Sequence, residues 1–86
     1  MSEPDLTSIE ILEAEKFQRD GKLPQAETIY RRVLKDKPRH SEALRLLGLL
    51  AHQTGNHEQG INLVKQAIAA QPENVEAHFN LGIINL

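Results

Sequence analysis

Cysteine and tryptophan are both missing from the 86 residues, and the aromatic complement is two Phe and one Tyr. Without thiols there is no disulfide framework, no thiolate metal site and no thiol nucleophile, and a reducing compartment is compatible. The scarcity of aromatic and β-branched residues argues against a sheet. Long hydrophobic runs are also absent: none approaches the ~20 residues that span a bilayer. The start, "MSEPDLTSIE", is acidic and lacks the apolar core of a signal peptide. There is no glycine-rich phosphate loop, no H-E-x-x-H and no nucleophile elbow. These absences lead to the expectation of a soluble, cytoplasmic, non-catalytic protein without a cofactor.

The 40% of apolar residues comes from Leu, Ile and Ala, a helix-forming mixture. Net charge is −2 but unevenly spread, at −4 over residues 1–21, +4 over 22–45 and −2 over 46–86. The basic centre, "YRRVLKDKPRH", permits nucleic-acid binding. It equally suits Lys35, Lys37 and Arg39 complementing the negative end of a helix. In an acidic chain without aromatics among those bases, no nucleic-acid partner is expected. His52 and His57 flank the turn "QTGN" beside Glu58, but a stable metal site wants a third or fourth fixed ligand. No metal is expected.

Three spacings coincide. Gly21 to Gly55, Pro38 to Pro72, and Gly48 to Gly82 are each 34 residues apart. Overlaying residues 7–40, 41–74 and 75–86 yields two full units and the first third of another. In each full unit a helical pattern runs to a glycine turn, "RDGK" or "QTGN", and a second pattern closes at "KDKPRH" or "AAQPEN". Five helices are predicted, at about 6–19, 24–36, 41–53, 57–70 and 75–86. Asp5 or Thr7 would start the first, with Thr7 and Glu10 as a capping box; Pro24 suits a first turn, and Ser41 and Asn74 are N-cap candidates. The third, "ALRLLGLLAH", is apolar on almost every side and must be flanked by other helices.

These residues resemble the tetratricopeptide repeat, whose signature is W-x2-L-G-x2-Y, then A-x3-F, then P in 34 residues. Residues 41–74 match with Leu44, Leu47, Gly48 and Ala51, then Gly60, Val64 and Pro72. Residues 7–40 match weakly in the first helix (Glu10, Glu13, Ala14, Phe17) and well in the second (Ala26, Tyr30, Pro38). Residues 75–86 offer His78, Leu81, Gly82 and Asn85. The resemblance implies an all-α superhelix, or solenoid, of about two and a half helix-turn-helix repeats, forming one domain over 1–86. Gly48 and Gly82 would let the partner helix of their hairpin approach closely. Gly60 in place of Ala, and Val64 in place of an aromatic, predict loose packing of the second hairpin. Polar Glu10 and Glu13 fit a terminal repeat with one side in water.

The resemblance further implies a concave groove lined by the first helix of each hairpin, binding a peptide or a partner helix. Carried over, the lining is Ile11, Glu15, Arg45, Leu49, Phe79 and Ile83, with Gln18, Arg19, His52, Gln53 and Asn80 adjacent. Either the apolar members receive an apolar segment, or some turn inward and pack between hairpins. The family's clamp for a terminal carboxylate is not expected, since its places hold Ile11, Glu15, Leu46, Glu76 and Asn80. At the last helix, some of Ile83, Ile84 and Leu86 would face outward. Leaving about 200 Å² of such surface wet would forgo ~5 kcal/mol. Further repeats, a second copy of the chain, or fraying of the last turn would each answer this, so a homo-oligomer is an open expectation. The sequence style also resembles bacterial tetratricopeptide regions ahead of glycosyltransferase, methyltransferase or sulfotransferase domains. A substrate-recruiting role in a larger enzyme, like that of O-linked N-acetylglucosamine transferases, is the alternative to a free-standing scaffold. No membrane partner is expected.

Overall fold

The computed structural model describes residues 5–85 and is all-α. Five helices follow one another: α1 (Leu6–Arg19), α2 (Leu23–Asp36), α3 (Ser41–Gln53), α4 (His57–Ala70) and α5 (Val75–Ile84). The four ends anticipated from glycine and proline punctuation, those of α1 to α4, fall in place. Gly21 and Gly55 follow α1 and α3 with φ of 79° and 89°, a left-handed conformation that a Cβ would strain. Leu86 lies outside the described residues, and α5 ends at Ile84 with Asn85 as its C-cap.

At α1, α3 and α5 the N-cap side chain accepts a backbone N–H, whereas Lys22 before α2 and Asn56 before α4 make no such bond. The Asp5 carboxylate caps α1, taking the Ser8 amide at 2.8 Å, so Thr7 lies inside the helix rather than at a capping box. That hydrogen bond holds the Asp5 carboxyl below its ordinary pKa. Asn74 caps α5 through the Ala77 amide at 3.0 Å. Ser41 does not cap α3. His40 takes that place, its Nδ1 accepting from the Ala43 amide at 3.2 Å. The Ser41 hydroxyl instead donates to the Ala67 carbonyl at 2.9 Å and accepts from Asn74 Nδ2 at 2.8 Å. One serine thereby joins α3, the end of α4 and the cap of α5.

Two apolar clusters hold the stack. Ile11, Ala14, Ala26, Ile29, Tyr30 and Val33 from α1 and α2 meet Ala43, Leu46, Leu47 and Leu50 of α3. On its other side α3 contributes Leu44 to a cluster with Val64, Ala67, Ala77 and Ile84. Leu34 and Leu63 pack against both clusters and make the core continuous. The middle helix is buried on almost every side, as its composition requires. At the open side of α1, Glu10 is not simply solvated: its carboxylate receives the Arg32 guanidinium, with Nε at 3.0 Å, and ties α1 to α2.

Gly60 does not loosen the second hairpin. A Cβ on Gly48 would stand 2.7 Å from Val64 Cγ2 and 2.9 Å from the Gly60 carbonyl; a Cβ on Gly60 would stand 2.8 Å from the Gly48 carbonyl. With a hydrogen at both places, the backbones of α3 and α4 meet directly, and Val64 is fully enclosed. The matching positions of the first hairpin, Ala14 and Ala26, are also fully buried but carry a methyl each.

Candidate functional site

The curvature of the stack decides which face can receive a partner. The first helices touch in sequence, α1 against α3 and α3 against α5, whereas α2 and α4 do not meet. Helices that are close on one side and splayed on the other bend the stack, with α1, α3 and α5 on the inner face. The 34-residue register then aligns Ile11 with Arg45 and Phe79, and Glu15 with Leu49 and Ile83.

The predicted lining divides in two. Phe79 and Ile83 stand in solvent at 68% and 41% exposure. Glu15 and Leu49 are half-buried. Ile11, Arg45 and Asn80 are buried, at 5–7% exposure. Ile11 has turned inward into the first cluster, one of the two alternatives open to an apolar lining residue, because α3 covers it. It still forms the floor of a depression of about 280 Å³ bounded by Ser8, Leu12, Glu15, His40 and Glu42. Leu12, 66% exposed on the rim, was not among the predicted lining residues. It lies four residues after Ser8 and three before Glu15 on one helical face, which is the signal that could have found it.

Arg45 is the centre of the inner face. Its Nε and Nη2 donate to the two Glu42 oxygens at 2.9 and 2.8 Å, its Nη1 donates to Asn80 Oδ1 at 2.8 Å, and Glu76 lies 3.4 Å away. A guanidinium offers a rigid fork of donors, and here the fork is filled by α3 and α5. The Arg45 hydrogen bonds hold the Glu42 carboxyl below its ordinary pKa, against a smaller opposing effect of burial. Arg45 and Asn80 are thus a strut between α3 and α5 rather than free lining, because Asn80 Oδ1 takes Arg45 Nη1 while Glu42 holds the rest of the guanidinium.

A second polar seam crosses the first repeat. The Tyr30 hydroxyl donates to Gln18 Oε1 at 2.7 Å, and Gln18 Nε2 donates to Gln53 Oε1 at 2.8 Å. Burial pushes the Tyr30 phenol well above its ordinary pKa of 10.0. His52 and His57 pair through their Nδ1 atoms at 2.8 Å, so one ring donates and the other accepts. Among the described residues, no three His, Cys, Asp or Glu side chains converge as metal ligands would.

The basic centre is largely engaged within the chain. Arg31 pairs with Glu27, Arg32 with Glu10, Lys37 donates to the Thr7 hydroxyl, and Arg39 donates to the Ala69 carbonyl. At the far end of the stack, Ile84 packs into the second cluster at 5% exposure. This corrects its assignment to an outward strip: α5 turns Ile84 toward α3 and α4 and leaves Ile83 outside. Leu86 lies outside the described residues. A Cβ on Gly82, the residue in register with Gly48, would meet nothing within 4 Å, so no described helix fills the close approach expected there. No helix among the described residues is long and apolar enough to cross a membrane.

Two helix pairs of nearly equal length, α1–α2 and α3–α4, repeated in a 34-residue register with small residues facing within each pair, define a helical-repeat solenoid. The tetratricopeptide repeat family model matches residues 11–61 and 53–86, and the chain belongs to that family. Among solved structures, a mutant O-GlcNAc transferase from Thermobaculum terrenum is 34% identical, with a TM-score of 0.82 over 95% of this chain. The chain spans 16% of that protein's length. No curated protein matches this chain.

Proposed function

We propose that this chain is a non-catalytic interaction module of the cytoplasm that binds a peptide or helix along its inner face. The observation that carries this reading is the apolar content of that face: Leu12 of α1 and Phe79 and Ile83 of α5 are exposed, and Leu49 of α3 is half-buried. A rigid helical floor with unpartnered apolar side chains suits an extended or helical segment that brings its own apolar residues. The test is to pan a displayed peptide library on the purified chain and on a Phe79→Ser, Ile83→Ser variant. Peptides retained by the parent chain and released by the variant support the reading; peptides held equally by both overturn it.

A second reading is favoured by the similarity to an O-GlcNAc transferase. In it the same face recruits substrates for a catalytic domain carried on the same polypeptide. Reading the gene past the codon for Leu86 separates the two: a transferase domain in frame supports recruitment, and a stop codon removes it.

Self-association through α5 rests on Ile83 and on the unfilled approach at Gly82. A depression of about 520 Å³ lies beside them, lined by His52, His57, Ile61, Ile83, Ile84 and Asn85. Sedimentation of the parent chain against Ile83→Glu tests it. A concentration-dependent mass lost in the variant supports it, and a monomer in both removes it.

A further inference from the structure

We propose that the inner-face groove selects a cationic apolar segment, one that carries Lys or Arg beside its apolar residues, and rejects an acidic one. This rests on the inner-face reading above and names the chemistry of its partner. The apolar part of the surface comes from Leu12, Leu49, Phe79 and Ile83; alone it would accept any greasy segment. Its charge is one-sided. Glu42 borders both the depression that contains Ile11 and Glu15 and the next one along, which contains Glu76. The three carboxylates therefore follow the groove from α1 through α3 to α5.

Among the described residues, only one guanidinium sits between them. The Arg45 side chain is 8% exposed, and its donors are occupied by Glu42 and Asn80, with Glu76 alongside. Glu15, Glu42 and Glu76, with Glu73 beside the last, outnumber the one buried guanidinium. The other basic groups near them are His40, which borders the first depression and spends its Nδ1 on the Ala43 amide, and Arg19, one turn after Glu15. A carboxylate on an incoming segment meets the glutamate charges, and the one guanidinium between them is buried with each of its nitrogens already hydrogen-bonded. An ammonium or guanidinium reaches Glu76, whose side chain is 70% exposed, and the open edge of Glu42. Arg19 lies at the far edge, near the glycine turn, and does not share these depressions. Charge complementarity of this kind steers encounter and suppresses wrong partners more than it adds affinity.

The experiment uses the full chain and three fluorescein-labelled peptides with identical Leu and Phe positions, separated by Lys, by Ser or by Glu. Anisotropy titrations in about 50 mM NaCl are expected to rank Lys over Ser over Glu, with roughly tenfold between the extremes. In about 500 mM NaCl that ratio should shrink several-fold, as screening requires. Glu76→Gln should narrow the ratio by about threefold, while the Ser peptide binds as before. Equal binding of all three peptides, sensitive to Phe79→Ser, overturns the charge selection and leaves the groove reading standing. Binding that ignores Phe79→Ser, or no binding by any peptide, overturns both.

Discussion

The carbonyl of Gly60 and the α-carbon of Gly48 lie so close that a methyl on Gly48 would come to 2.9 Å from that oxygen. Two helices meet there without any intervening side chain. Helix propensity opposes both glycines, each costing ~1 kcal/mol against alanine. Close contact over the whole α3–α4 crossing outweighs that cost.

Three alanine substitutions therefore separate packing from propensity. Gly48→Ala and Gly60→Ala should each destabilise the chain by about 1–3 kcal/mol through overlap with Val64 or the facing backbone. Gly82→Ala, which meets nothing within 4 Å, should stabilise it by ~0.5–1 kcal/mol. Chemical denaturation of the three variants checks the signs, and a stabilised Gly48→Ala would rule out so close a crossing.

Arg45→Ala should cost about 2–4 kcal/mol, since it leaves buried Asn80 Oδ1 and the Glu42 carboxylate without their donor. The loss should centre on α5. Hydrogen exchange in Val75–Ile84 should accelerate more than in α1, and uniform acceleration would contradict a strut between α3 and α5.

Acid should weaken the fold in a way that Glu42→Gln partly removes. The folded-state pKa of Glu42 lies below the ordinary glutamate value of 4.5, so its contribution is complete above that pH. It is lost as the pH falls below 4.5 and through the lower folded value. The carboxylate is partly exposed, so solvent screening keeps the effect modest. Thermal melts of the two proteins across about pH 3–6 should converge toward the acid end, and parallel curves would speak against the pairing.

Alkali should act through Tyr30. Its folded pKa is raised, so the unfolded chain gives up the phenol proton first, from about pH 10, and stability declines above that point. Tyr30→Phe should abolish that decline while costing ~1–2 kcal/mol at neutral pH, because Gln18 Oε1 loses its donor. Melting curves at about pH 7 and above about pH 10 give both numbers.

The recurring glycines and prolines made the helix boundaries legible, since each residue type restricts the backbone wherever it stands. The apolar sweep of α3 likewise announced a central helix, because apolar residues occupy almost every side of it. Cap identity at α3 was not legible: Ser41 has the usual chemistry, but Ala67 and Asn74 compete for its hydroxyl only after α4 and α5 have packed. The candidate site was half legible. The resemblance to the repeat family pointed to the α1–α3–α5 face, yet Arg45 and Asn80 bond to each other, and Ile11 and Ile84 turn into the core.

By itself, the order of residues determined how many helices form, where they stop and which repeat unit they build, all of which follow from local backbone preference and period. Only the tertiary structure decided which residues of the inner face remain available to a partner. That outcome depends on contacts such as the one between Arg45 and Asn80, 35 residues apart, which exist once the helices have been brought together.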